Sequence, residues 1–102
     1  MSDITSLHSS LVARVLEGEG QASPEIRCAA FDNERLAEPV RTVVDKVAHR
    51  ARMVTDADIG TLRKAGLSED QIYEIVVCAA IGQATRQYQN ALAALSAATG
   101  RN

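Results

Sequence analysis

The stretch LSEDQIYEIVVCAAIGQATR, residues 67–86, decides the fold. Ser68 and Gln71 have the spacing of a capping box, which marks the start of a helix. Gly66, just before it, is the residue type that commonly ends a preceding helix. The run IVVCAAI, residues 75–81, then follows with no polar face. The sequence therefore predicts a helix that other elements cover on every side.

This predicted helix is long for a small domain. From residue 69 to about residue 98 it would span roughly 45 Å, at about 1.5 Å per residue. We interpret it as the central helix, packed partly against another subunit. A wholly intrachain core, with a kink at Gly82, is the alternative. Small side chains at its centre would let other backbones approach closely, and these are Ala79, Ala80, Gly82 and Ala84.

Two shorter helices are predicted in the N-terminal third of the chain. Apolar residues recur at helical spacing in the first, and EGEG at residues 17–20 ends it. Ser23 before Pro24 is typical of a helix start, so PEIRCAAF at residues 24–31 is the second. The segment NERLAEP, residues 33–39, is the next break. The apolar positions of the first helix are Ile4, Leu7, Leu11 and Val15.

The third predicted helix begins near Pro39, a residue tolerated only in a first turn. Thr55 then has the position of an N-cap for a fourth helix, with Asp56 and Asp58 in its first turn. The apolar stripe of the third helix runs through Val40, Val43, Val44, Val47 and Ala51. With the long final helix, the sequence predicts an all-α fold, a single-domain array of about five helices.

The composition limits the classes of function. The 102 residues suit one domain, with an N-terminal helix at residues 1–20, a core at 21–98 and a tail at 99–102. A formal charge of -2 and only 3% aromatic residues make nucleic acid an unlikely partner. No apolar run approaches the roughly 20 residues that span a bilayer, so no membrane association is expected. The N-terminus lacks the pattern of a secretory signal, and we expect a cytoplasmic location.

Residues 44–95, VDKVAHRARMVTDADIGTLRKAGLSEDQIYEIVVCAAIGQATRQYQNALAAL, carry a family resemblance together with PEIRCAAF upstream. The combination of a histidine-bearing helix, a short helix ending in AGLSEDQI and a long alanine-rich helix with an arginine resembles the alkylhydroperoxidase D-like and carboxymuconolactone decarboxylase-like superfamily. The resemblance covers about three quarters of the chain. It implies an all-α fold and homo-oligomers whose apolar helices pack across subunits.

The redox branch of that superfamily uses a CxxCxxxH motif, and this chain lacks its thiols. Placing the motif histidine on His49 puts the two cysteine positions on Thr42 and Asp45. Neither a hydroxyl nor a carboxylate can cycle through a disulfide. The upstream glutamate of the family has only loose counterparts in Glu34 and Glu38. The resemblance therefore implies a member without thiol peroxidase activity.

The two cysteines that are present, Cys28 and Cys78, lie 50 residues apart on different predicted helices. Each stands among alanines and aliphatic residues, so a buried structural role is the simpler interpretation. A long-range redox pair is the alternative. Without a CxxC, and with histidines only at positions 8 and 49, the sequence predicts neither a metal site nor a cofactor.

Asp45 and His49 are the candidate catalytic residues. They lie one helical turn apart, and His49 projects away from the apolar stripe of its helix. An exposed contact of this kind would contribute only about 0.3–0.5 kcal/mol. A covered pair could instead shuttle a proton for a small carbonyl or carboxylate compound, because histidine titrates near neutral pH.

Arg86 and Gln83 are the candidate substrate-binding residues. The Arg86 guanidinium could hold a substrate carboxylate bidentately, whereas an intersubunit or intrahelical salt bridge is the simpler interpretation. The decarboxylase-like branch of the resemblance makes a reaction without thiols possible. The other hypothesis is a non-catalytic oligomeric scaffold or interaction protein, in which the apolar central helix matters and His49 does not.

Overall fold

Five α-helices form the part of the chain that this computed structural model describes, the backbone of residues 2–100 and the side chains of residues 6–100. They are α1 (Ser2–Glu17), α2 (Pro24–Asp32), α3 (Val40–His49), α4 (Asp56–Lys64) and α5 (Glu69–Thr99), with a 3₁₀ turn at Ala51–Met53 between α3 and α4. These residues contain no β-strand, so the predicted all-α class is confirmed. Within them, no helix has the length and apolarity needed to cross a membrane.

The predicted helix starts are confirmed at three positions. Ser23 caps α2 by accepting a hydrogen bond from the backbone N–H of Ile26, and Pro24 is the first helical residue. Thr55 caps α4, and Ser68 caps α5. Each of these caps satisfies an N–H group that has no partner inside its own helix.

The capping box of α5 is complete. The Gln71 backbone N–H donates to Ser68 Oγ at 3.1 Å, and the Ser68 N–H donates to Gln71 Oε1 at 2.8 Å. Just before it, Gly66 has a left-handed φ of 102°, which a residue with a Cβ adopts only with strain. Helix α4 therefore ends just before Gly66, as the sequence predicts, and a tight turn joins it to α5.

The core lies between α5 and the helices α2, α3 and α4, and α4 contributes the fully buried Leu62. Along α5 the buried residues are Ile72, Ile75, Cys78, Ala79, Gly82 and Thr85. The centre of the helix is not covered on every side, because Ala80 and Ala84 are exposed. At Gly82 the carbonyl group of Phe31 lies where a Cβ would stand, so the close approach predicted there is between α5 and α2.

One residue of the predicted α3 stripe is misplaced. Val43 and Val44 are buried, but Ala51 is exposed and lies in the 3₁₀ turn. The helix ends at His49 because Arg50 leaves helical geometry, with φ -149° and ψ 55°. The 100° periodicity therefore stops two residues before Ala51, and Ala48 is buried instead.

The loop between α1 and α2 is fastened by two charged side chains. The Glu74 carboxylate on α5 accepts the backbone N–H groups of Gln21 at 2.8 Å and Ala22 at 2.9 Å. These hydrogen bonds hold the pKa of Glu74 below its usual value, and the one from Gln21 has the largest effect. Arg27 is buried and donates to the carbonyl of Gly18 at 2.7 Å, beyond the end of α1.

The C-terminal part of α5 extends beyond the other helices. Helix α1 runs antiparallel to α5, with His8 Nε2 3.1 Å from Thr85 Oγ1. Beyond Tyr88, residues 89–99 are exposed except for the partly exposed Ser96. The Cα radius of gyration is 15.3 Å, compared with about 13 Å for a compact chain of this length. The predicted tail at 99–102 begins late, because Thr99 is still helical; residues 101 and 102 lie outside the described part.

Candidate functional site

The two candidate catalytic residues contact each other on the surface of α3. His49 Nε2 lies 3.8 Å from Asp45 Oδ1, and the two side chains are 52% and 49% exposed. His49 is the last residue of the helix and points away from the core, as its position on the helix predicts. The pair is therefore open to solvent on this chain.

Asn33 brings a second group to Asp45. Its Nδ2 donates to Asp45 Oδ1 at 3.2 Å. Asn33 follows α2 directly and has a left-handed φ of 53°, and its backbone N–H bonds to carbonyls at the end of that helix. Asparagine tolerates this conformation better than most residues, which is why it is common after helices. The end of α2 is thus tied to the face of α3 that carries Asp45.

Asp45 lines a polar cleft of about 380 Å³, which we call the α3 cleft. The resemblance places the two motif cysteines on Thr42 and Asp45, and both residues lie in its wall. His49 is not among the lining residues. The cleft therefore presents oxygen atoms and two guanidinium groups where the redox branch would present thiols. Its lining residues are Asn33, Glu38, Arg41, Thr42, Asp45 and Arg50.

Glu38 is the acid held most firmly in the α3 cleft. Its Oε1 accepts the Thr42 hydroxyl at 2.6 Å and the Thr42 backbone N–H at 3.1 Å, and its Oε2 accepts from Arg41 Nε at 3.2 Å. The Thr42 hydroxyl contributes most to lowering the pKa of Glu38 below its usual value. Glu38 is thus a carboxylate at neutral pH. Glu34, the other loose counterpart of the family's glutamate, contacts Arg35 instead.

Arg86 and Gln83 lie together, but they are not part of the α3 cleft. Arg86 Nη2 donates to Gln83 Oε1 at 3.0 Å, and Nη1 donates to the carbonyl of Phe31 at 2.6 Å. Phe31 is in the last turn of α2, where carbonyl groups lack helical partners. The guanidinium thus fastens the end of α2 to α5. Its predicted role as an anion anchor stays a prediction.

The cysteines differ in their surroundings. Cys78 is buried, and its Sγ lies 3.7 Å from the carbonyl oxygen of Val15, to which it can donate. Burial raises the pKa of Cys78 to about 11, so the unreactive thiol form prevails at neutral pH. Cys28 is half-buried.

Sequence reasoning missed several members of the α3 cleft. Arg50 was not predicted to take part, and Asn33 was only part of a predicted break. Arg41 was predictable as a neighbour of Asp45, because it lies one helical turn before Asp45 on α3. The positions of Arg50 and Asn33 in the cleft depend on how the loops after α3 and α2 fold. Among residues 6–100, no group of three histidine, cysteine or acidic side chains is arranged to hold a metal ion.

Comparison of the chain with protein-family models, curated proteins and solved structures gives no match.

Proposed function

We propose that this protein is a self-associating helical scaffold of the alkylhydroperoxidase D-like type, without thiol peroxidase chemistry. Two copies pair through the C-terminal part of α5, residues 88–99. We call this region the α5 tail.

The observation that carries the proposal is the exposure of the α5 tail without any charge. Residues 87–99, QYQNALAALSAAT, contain no charged side chain, although 24% of the chain is charged. Leu92 is 40% exposed and Leu95 60% exposed. An exposed helix of a monomer would normally carry charges on its solvent face.

The apolar stripe of α5 continues from the core into the tail. Leu92 follows the buried Thr85 by seven residues, and Thr85 follows the buried Cys78 by the same interval. Residues seven apart lie on nearly the same side of a helix. The face of α5 that is buried at Cys78 and Thr85 is thus the same face that is exposed at Leu92.

The chain exposes more surface than is usual for its size. The chain exposes 6920 Å², whereas a compact monomer of its mass would expose about 5,600 Å². The excess of about 1,300 Å² is a property of the whole chain, to which the uncovered α5 tail contributes.

A second copy of the chain is the partner that fits this surface. The neutral tail has no charge with which to select an acidic or basic partner. Two antiparallel tails would place the same residues opposite each other, as in a closed two-fold dimer. Close approach of the helices is possible because five tail residues are alanine, at positions 91, 93, 94, 97 and 98.

Sedimentation velocity over a wide concentration range tests the proposal. We expect the wild type to have the mass of more than one chain and the double variant Leu92→Glu with Leu95→Glu to be monomeric. Tyr73→Glu is the matched control, because Tyr73 is also an exposed apolar residue of α5, at 70%, but lies at the other end. A monomeric wild type at every concentration would refute the proposal, and so would an equal effect of the control.

The expected lack of peroxidase chemistry has its own test. Incubation with an alkyl hydroperoxide and a dithiol reductant should give no turnover, because Thr42 and Asp45 stand at the motif positions. Sustained peroxide consumption that disappears in Cys78→Ala would contradict this part of the proposal.

The α3 cleft favours a second candidate function, acid–base chemistry by His49 and Asp45 on a small carbonyl or carboxylate compound. Arg41 and Arg50 line the cleft beside Asp45 and could attract a carboxylate. The test is an NMR titration of the His49 ring signals with small carboxylates. Saturable shifts that disappear in Asp45→Asn would support it, and an unresponsive ring would leave the pair as an exposed contact.

A further inference from the structure

A second cleft, of about 440 Å³, lies between α2, the loop at residues 33–39 and the end of α4. We call it the α2–α4 cleft. Its volume is within the range of sites for small molecules. The α2–α4 cleft shares one lining residue, Glu38, with the α3 cleft. No residue of the α5 tail lines it. Its apolar lining consists of Ile26, Ala29, Leu36, Ala37, Val40, Ala65 and Leu67.

Two carboxylates and one guanidinium line the α2–α4 cleft. Glu25 lines it from the first turn of α2, and within residues 6–100 its carboxylate has no ion-pair partner. Arg35 also lines it, but this guanidinium is already paired with Asp32 at 3.0 Å and Glu34 at 3.2 Å. Asp32 and Glu34 therefore already balance the charge of Arg35, which leaves Glu25 without an ion pair to it.

Two further features add to the negative potential. Glu38 lines the cleft as an ionised carboxylate, and its single cationic partner is Arg41, at 3.2 Å. Ala65, the residue that follows the last turn of α4, also lines it. Carbonyl groups at a helix C-terminus carry a partial negative charge and favour cations.

We propose that the α2–α4 cleft binds a small organic cation with an apolar chain, such as a primary alkylammonium ion. The alkyl chain lies on the apolar lining, where its removal from water is favourable. The ammonium group lies toward Glu25, which gains an ion pair. An anion of the same shape would meet Glu25 and Glu38 and is disfavoured.

The experiment is a two-dimensional amide NMR titration with n-hexylammonium, with n-hexanol and hexanoate as probes of equal chain length. We expect n-hexylammonium to bind best and hexanoate worst, with the largest shifts at Ile26, Leu36 and Leu67. Raising the salt concentration should weaken the binding of n-hexylammonium and leave the binding of n-hexanol unchanged.

Two variants locate the binding. Glu25→Gln should lower the affinity for n-hexylammonium by about two- to fivefold, the usual effect of an exposed ion pair. It should not change the affinity for n-hexanol. Glu19→Gln is the matched control, since Glu19 is an exposed glutamate outside this cleft. Ala37→Leu places a larger side chain at an exposed position of the lining and should abolish binding of both probes without unfolding the protein.

The proposal is overturned if hexanoate binds as well as n-hexylammonium, or if Glu25→Gln and Glu19→Gln act alike. Shifts that concentrate in residues 88–99 would also overturn it. Because the titration reads local amide signals, its outcome is independent of whether the α5 tail pairs two chains.

Discussion

Replacing Gly82 by alanine tests the closest helix contact in the fold. An ideal Cβ at Gly82 would overlap the backbone C and O atoms of Phe31, in the last turn of α2. Backbone atoms of a helix cannot rotate away as a side chain can. Gly82→Ala must therefore move α2 away from α5 or strain both helices.

The magnitude follows from two opposed terms. Overpacking of a core costs about 1–3 kcal/mol, and an overlap with backbone belongs at the upper end of that range. Alanine is better than glycine inside a helix by about 1 kcal/mol, which offsets part of this cost. We expect Gly82→Ala to lower the free energy of unfolding by about 2 kcal/mol. The melting temperature would then fall by about 8–16 °C for a domain of this size.

Gly60→Ala is the matched control for this change. Gly60 also lies inside a helix, but beyond its own neighbourhood no atom lies within 4 Å of the place where a Cβ would stand. The same substitution should therefore raise the free energy of unfolding there by about 0.5–1 kcal/mol.

Both variants are followed by circular dichroism during thermal and urea unfolding. The protein concentration must be equal in all samples, because self-association makes the melting temperature depend on it. Opposite signs for the two variants are the expected result. If Gly82→Ala were as stable as the wild type, α2 would not lie against α5 as described.

Three further predictions concern single side chains. Arg86→Met should lower the free energy of unfolding by about 1–3 kcal/mol, because the Phe31 carbonyl loses its charged donor; an unchanged urea midpoint would contradict this. The pKa of Glu74 is lowered on folding, so its stabilising effect is present above the usual value of 4.5 and is lost as the pH falls through the folded value. Urea midpoints of Glu74→Gln should therefore depend less on pH in that acid range. In alkylation followed by mass spectrometry, Cys28 should react before Cys78, whose buried thiol has a pKa of about 11; equal rates in native protein would argue against that burial.

Local signals were sufficient to predict most of the helices. Ser23, Thr55 and Ser68 cap the three helices that they were predicted to cap, because a cap involves residues only two or three positions apart. The end of α3 was harder to predict. No glycine stands there, and the turn at Arg50 is a conformation that the local sequence does not signal. Ala51 was assigned to the buried stripe for that reason.

The candidate site could be predicted only where its contacts are local. The contact between Asp45 and His49 follows from their spacing of one helical turn. The hydrogen bond from Arg86 to Phe31 joins residues 55 positions apart and depends on how α2 crosses α5. The α3 cleft likewise needs Asn33 in a left-handed conformation, which only the folded loop reveals. The contact within α3 was therefore predictable, whereas the contacts of α3 with the loops around it were not.

The position of Phe31 connects the fold with the proposed function. Gly82 lets the Phe31 backbone reach α5, and Arg86, one turn later, holds its carbonyl group. Both residues belong to the half of α5 that packs within the chain, and together they fasten α2 beside it. The α5 tail contacts α1 at its first residue, where the Tyr88 ring lies 5.6 Å from the His8 ring. Beyond Tyr88 its stripe of Leu92 and Leu95 continues the same helix and is exposed. Because α5 is held at Phe31 and is helical to Thr99, its tail continues a helix that is already formed. A rigid, preorganised helix loses less conformational entropy on pairing, which favours association with a second copy.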